Sequence, residues 1–283
     1  MRAKSALTAC LVVLCALAPF AGQAQDYPRL EPPIDTEHIF GFTEGADIGK
    51  KGEVEVENTT IGRLDRRGNF VAFNNETAIR YGVADDFRAS FAPLTDYRSI
   101  RNVPGLVNRT ALSFSGLSSE YRWQAVERDG IGLTFSLAPE WHRIDDTSGQ
   151  QVESYAFPLG LLADAALVPG EIFAAFNLAY SPAITRVDRK SQQENPLEVS
   201  SAISAAIVDG VFLGAEIRHI TRNQDGFFSG HALFVGPSLY AKVADDVSFK
   251  VGWSAQLPDE TTGRLDLVNF ERHQVIAVLT KSF

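Results

Sequence analysis

The 283-residue chain carries 26 basic and 35 acidic residues, for a formal charge of −9, and only two cysteines, Cys10 and Cys15. An acidic chain without a basic stripe excludes a protein that tracks nucleic-acid phosphates. Because both cysteines lie near the start, the rest of the chain can build neither a disulfide framework nor a thiolate metal centre.

Residues 1–24 read as a signal peptide. Arg2 and Lys4 precede an apolar run from Leu7 to Phe20, and Gly22-Gln23-Ala24 puts small residues where a signal peptidase needs them. Cleavage after Ala24 would remove both cysteines and take the charge from −9 to −11 as Arg2 and Lys4 leave. Leu7-Thr8-Ala9-Cys10 imitates a lipoprotein box, but most of the apolar run follows that cysteine, which argues against lipidation. No later segment is apolar for long enough to cross a bilayer as a helix. A membrane-embedded mature chain must therefore be a closed barrel, the sheet that leaves no backbone edge unpaired in lipid.

Residues 25–51 have no strand rhythm: Pro28, Pro32 and Pro33 interrupt it, and the stretch from His38 to Glu53 is rich in glycine and charge. It reads as a periplasmic arm or as a plug folded into a pore, the latter favoured by the apolar Ile39, Phe40 and Phe42. After Lys51 a period-2 alternation holds to the end, so residues 52–283 form the barrel.

The alternation predicts an all-β, up-and-down antiparallel barrel of about twelve strands, at 52–64, 70–82, 87–97, 108–125, 131–143, 153–164, 171–181, 198–208, 211–222, 229–243, 247–256 and 268–283. An even number puts both termini at one end, as a single-chain bacterial outer-membrane barrel requires. Periplasmic turns are expected at Ala84–Asp86, Glu127–Gly130, Ala165–Gly170, Asp209-Gly210 and Ala244–Asp246. Longer outer connections are expected at Arg98–Val107, Ile144–Val152, Pro182–Leu197 and Leu257–Leu267. Two aromatic belts accompany them, with Tyr81, Phe87, Tyr121, Trp123 and Phe283 near one end and Tyr97, Trp141, Tyr155, Tyr180 and Trp253 near the other. A soluble sandwich or lipocalin-like barrel would need the opposite face polar throughout and would leave the terminal Phe unexplained.

If aromatic and aliphatic positions face lipid, the alternate positions face the lumen. These are Glu76, Arg80, Arg88, Asp96, Glu120, Arg122, Glu140, Glu171, Glu216, Arg218, Arg222, Lys250 and Arg272, with Asn74, Gln256 and the small Ser200, Ala202, Ser204 and Ala206. An arginine or lysine turned to lipid at mid-depth would cost roughly 2–4 kcal/mol, so the charges must point inward. There they line a solute pathway or pair as struts in a filled interior.

Chemistry finds little support in these residues. Ser229 and His231 share a face, but no third orienting group can be named. A metal cluster of His219, His231 and His273 would need separate strands to bring the three together. No phosphate-cradling glycine loop or dinucleotide fingerprint is present, so no cofactor is expected.

The closing strand, VNFERHQVIAVLTKSF, alternates and stops on Phe283, and so resembles the last strand of bacterial outer-membrane barrels, with Lys281 as a departure from that pattern. The signal peptide, the GVADDF and VADD turns and Phe283 together resemble outer-membrane barrels of the class of transporters in aromatic meta-pathway degradation. The resemblance implies the outer membrane of a Gram-negative cell, partners in outer-membrane lipid and the barrel assembly machinery that reads Phe283, and passage of small solutes. It assigns no other functional residue. The expectation is a porin-like transport barrel, with an occluded structural or surface-interaction barrel as the alternative and an outer-membrane lipid hydrolase as the third.

Overall fold

A computed structural model describes residues 34–187 and 190–283. The expected signal peptide and its cleavage after Ala24 lie outside the described residues. Every regular element among those residues is a strand: β1 (Val54–Leu64), β2 (Asn69–Ala84), β3 (Phe87–Arg101), β4 (Arg109–Asp129), β5 (Ile131–Leu137), β6 (Glu140–Ile144), β7 (Gln151–Ala156), β8 (Leu159–Val168), β9 (Ile172–Tyr180), β10 (Ala183–Val187), β11 (Lys190–Glu194), β12 (Leu197–Val208), β13 (Val211–Gln224), β14 (Phe227–Ala244), β15 (Val247–Leu257) and β16 (His273–Ser282). They make one sheet of sixteen segments in which each pairing is antiparallel. β1 meets β16 from Glu55↔Ser282 to Leu64↔His273, so the first and last strands close a transmembrane barrel without a free edge.

Sixteen segments make twelve staves, because four consecutive staves are each interrupted at a proline: β5/β6 at Pro139, β7/β8 at Pro158, β9/β10 at Pro182 and β11/β12 at Pro196. Proline has no N–H for the ladder. The wall stays bonded through the proline carbonyls, which accept from Ser119 (3.0 Å), Ala138 (2.9 Å), Phe157 (2.9 Å) and Ser181 (3.0 Å) respectively. Side-chain alternation runs through the breaks, with Ser154, Ala156, Leu162 and Asp164 all buried on the inner face.

One expected outer loop is corrected. The stretch Pro182–Leu197 is largely strand: β10 and β11 pair from Ala183↔Glu194 to Val187↔Lys190 and carry two staves outward. Its residues are polar because both faces of a ladder that projects past the rim meet water, so the alternation that marks a membrane strand is missing there. The connection after β15 is irregular as expected, but it runs over 258–272 and not 257–267, so the last strand starts at His273 and not at Val268. At the opposite end the turns are tight, and Asp209-Gly210 needs a glycine, with Gly210 at φ 71°.

The outer wall exposes Ile79, Phe91, Leu112, Trp123, Phe135, Leu213, Ile217, Trp253 and Leu279, a surface suited to hydrocarbon. The inner wall is mostly polar. Residues 34–48 enter it from the tight-turn end, reach mid-height at Phe40-Gly41-Phe42 and return, leaving Thr36 to Gly41, Thr43, Gly45, Ala46 and Ile48 buried.

Candidate functional site: an occupied, charged lumen

The inner segment is pinned first at its base. Thr36 donates its backbone N–H and hydroxyl to Asp47 at 2.9 Å each, closing the loop on itself. Gly45 is required there, since a Cβ would lie 2.4 Å from the Thr36 carbonyl oxygen. The wall holds this base through Arg128, which pairs with Asp47 (3.0 Å) and Asp164 (3.1 Å) and donates to the Ile34 carbonyl (2.8 Å). Asp164 also accepts the Ala46 N–H at 3.0 Å.

The centre of the site is Glu37. Arg88 grips its carboxylate with both terminal nitrogens, and Arg80 and Arg122 each donate to Oε1 at 2.9 Å. Burial works to raise the pKa of Glu37, but the guanidiniums of Arg88, Arg80 and Arg122 hold it well below the usual carboxylate range. Arg80 is shared with the wall carboxylates Glu55 (3.1 Å) and Glu57, and Arg122 with Glu44 and Glu120.

His38 lies among three carboxylates, with Nδ1 3.5 Å from Glu57 and Nε2 3.8 Å from both Glu55 and Glu37. Burial lowers its pKa, but Glu37, Glu55 and Glu57 override this and hold it up at about 9. Donor atoms of His38, Glu55 and Glu57 fall within 4.8 Å of one another, as a small cation would need. Two features speak instead for an imidazolium: the carboxylates face different ring nitrogens, and the single charge of Arg80, shared between Glu55 and Glu57, leaves them net negative, which a protonated ring balances.

At the tip, Glu216 accepts the backbone N–H groups of Phe42 (2.8 Å) and Thr43 (3.1 Å), and Ser204 donates to the Ile39 carbonyl at 2.8 Å. Ile39 and Phe40 pack against Phe173, Ala175, Ala202 and Phe212. Arg218 lies 3.6 Å over the ring of Phe42. The outer mouth is filled separately. Loop 258–272 turns inward, burying Phe270 against Phe234 at 6.4 Å, and Glu271 lies 3.6 Å from both Arg63 and Arg66. Arg63 also reaches Asp146 of the 145–150 turn at 3.2 Å.

Of the residues expected in the lumen, Arg80, Arg88, Asp96, Arg122, Glu216, Arg218 and Lys250 are buried on the inner face. Glu76, Glu120 and Glu140 are half-buried on that face, and Arg222 sits at the outer mouth with its guanidinium 5.1 Å over Phe270. Two do not line it. Glu171 is exposed in the turn before β9, and Arg272 is exposed at the outer rim, 2.9 Å from Asp65; both lie past the end of a strand, where alternation no longer fixes direction. Sequence reasoning missed Glu37 and His38, which sit where no periodicity exists, and Asp164, a lone charge in an apolar strand.

The Ser229–His231 pairing does not form: Ser229 donates to the Arg222 carbonyl at 2.9 Å. His231 instead joins His219 (3.2 Å) and Asp259 (3.2 Å) on the outer wall, while His273 stacks on Trp253. Phe283 is exposed at the chain end, its N–H donated to the Val54 carbonyl at 2.8 Å.

The family of unknown function (DUF6662) matches residues 32–283, taking in the inner segment and the barrel. A search of curated proteins gives no match. Among solved structures, the COG4313 outer membrane channel from Pseudomonas putida F1 is similar at 10% identity, over 84% of this chain and 98% of that one, with a TM-score of 0.58. The KdgM porin in complex with oligogalacturonate (10% identity, 82% and 99% covered, TM-score 0.47) and the NanC porin (9%, 81% and 98%, 0.47) are also similar. At these identities the likeness is one of fold.

Proposed function

We propose that this chain, which belongs to the family of unknown function DUF6662, is an outer-membrane, porin-like channel for small polar solutes, closed at rest by its own residues 34–48. The observation that carries this reading is how the lumen is filled. Part of the wall packs on itself, as Phe70, Ala72 and Ile100 do, but towards the tight-turn end the wall side chains bond to a separate chain segment, and most do so through polar groups that water or solute can satisfy once it leaves. The barrel needs no such filling to satisfy its backbone, whose ladder closes through β1 and β16. The aromatic meta-pathway resemblance would narrow the solutes to aromatic acids, and the rings of Phe42 and Phe270 under Arg218 and Arg222 suit such molecules. Outer-membrane lipid would surround the wall, and the assembly machinery would read Phe283.

A second reading, an occluded barrel acting at the cell surface, draws on the inward fold of loop 258–272, which buries Phe270 and Glu271 to 1% exposure. Planar-bilayer recording separates the two. The intact protein should stay near background, and the variant lacking 34–48 and carrying Phe270→Ala, which frees the outer loop, should give stable conductance steps. A folded deletion variant that passes no current would establish the occluded barrel instead.

A further inference from the structure

We infer that the place occupied by Glu37 is a binding site for the carboxylate of a solute, and that Glu37 fills it as a tethered stand-in. The inference rests on the channel reading above and names the solute class. Arg80, Arg88 and Arg122 come from three adjacent staves, β2, β3 and β4, and the register Gly82↔Arg88 and Arg88↔Arg122 brings their side chains to one point on the inner wall. All three are buried, with Arg80 at 7%, Arg88 at 5% and Arg122 at 4% exposure.

Their partners differ in a way that defines the site. Arg80 keeps wall carboxylates in Glu55 and Glu57, and Arg122 keeps Glu120, whether or not the segment is present. Among the described residues, Arg88 pairs with Glu37 alone. When 34–48 leaves, Arg88 becomes a lumen-facing guanidinium without a counter-charge, flanked by two arginines that each have a donor to spare. A planar two-nitrogen fork facing the lumen selects a carboxylate over a neutral hydroxyl compound, because only the anion satisfies both donors and the charge. A small organic acid or acidic sugar is therefore the class that fits. The same ligand competes with Glu37, so it favours the open state to the extent that it binds only there.

The test uses gluconate and its uncharged counterpart glucose in planar bilayers at constant ionic strength. In the 34–48 deletion carrying Phe270→Ala, gluconate should interrupt the current and glucose should not. Arg88→Gln in that background should raise the half-blocking concentration about tenfold or more, as loss of a charged, two-pronged hydrogen bond requires. In the full-length chain carrying Phe270→Ala, gluconate should raise the open fraction, and Glu37→Gln should be open without it. Equal action of gluconate and glucose, or block unmoved by Arg88→Gln, overturns the carboxylate site and leaves the channel standing. A folded deletion barrel that passes no current overturns the channel reading, and this site with it. If the deletion variant does not fold, Glu37→Gln with and without Arg88→Gln carries the same comparison in the full-length chain carrying Phe270→Ala, with the same two outcomes deciding.

Discussion

The two halves of the lumen are closed by different physics. At the tight-turn end, residues 34–48 are held by buried charge: three arginines on Glu37, Arg128 between Asp47 and Asp164, and Glu216 on two backbone amides. At the outer mouth, loop 258–272 is held by aromatic packing of Phe270 on Phe234 and by one carboxylate, Glu271, between Arg63 and Arg66. Buried ion pairs gain little over an apolar core, but losing one partner is costly. On the channel reading proposed above, the inner closure acts as a switch that fails sharply when a competing charge arrives. The outer one is a packed lid that loosens gradually with lost contact area.

The largest break in that contrast should come from Glu37→Gln. Removing the charge strands Arg88 and weakens two further pairs, at a cost of roughly 3–5 kcal/mol by analogy with buried pairs that lose one partner. Amide exchange at 36–46 should accelerate while exchange in β1 and β16 holds; unchanged exchange at 36–46 would mean that the arginines do not anchor the segment. Phe270→Ala should cost about 3–5 kcal/mol of local packing. Its exchange increase should appear in 258–272 and leave 36–46 protected, and spread to both regions would show that the two closures are one unit.

A rise in pH should loosen the inner closure. His38 is raised from its ordinary 6.5 to about 9, so its contribution is fully present below pH 6.5 and is lost as pH climbs through about 9. The full effect is on the order of 3 kcal/mol. Open fraction in bilayers should increase across that window, and His38→Gln should flatten the dependence; a dependence that survives the substitution assigns the titration elsewhere. The smallest effects should come from the ring-stacked arginines. Arg218→Gln should loosen the segment tip under Phe42, and Arg222→Gln the lid at Phe270, by about 1–2 kcal/mol each for a desolvated cation on a ring. Exchange that responds at both places to either change would contradict the division of the lumen.

Much of the barrel is legible in the sequence alone. Alternation in stretches such as Phe87–Tyr97 and Val211–Arg222 marks staves, since a strand in a bilayer must separate its faces. Arg80, Arg88 and Arg218 had to point inward because lipid would not take them. The Asp-Gly pair at 209–210 fixes a tight hairpin wherever the strands lie. The hairpin of β10 and β11 was not legible, because past the rim both of its faces are wet and polarity looks like loop.

What the sequence by itself determined is therefore the local choice at each stave: strand or turn, inward or outward, which follows from neighbouring residues and the cost of a polar group in hydrocarbon. What only the tertiary structure decided is who meets whom across the lumen. Glu37 reaches Arg80, Arg88 and Arg122 over separations of 43, 51 and 85 residues, and Phe42 reaches Glu216 over 174. Those meetings depend on the stagger with which the barrel closes and on the path of a segment without periodicity, and neither quantity is written in any short stretch of the chain.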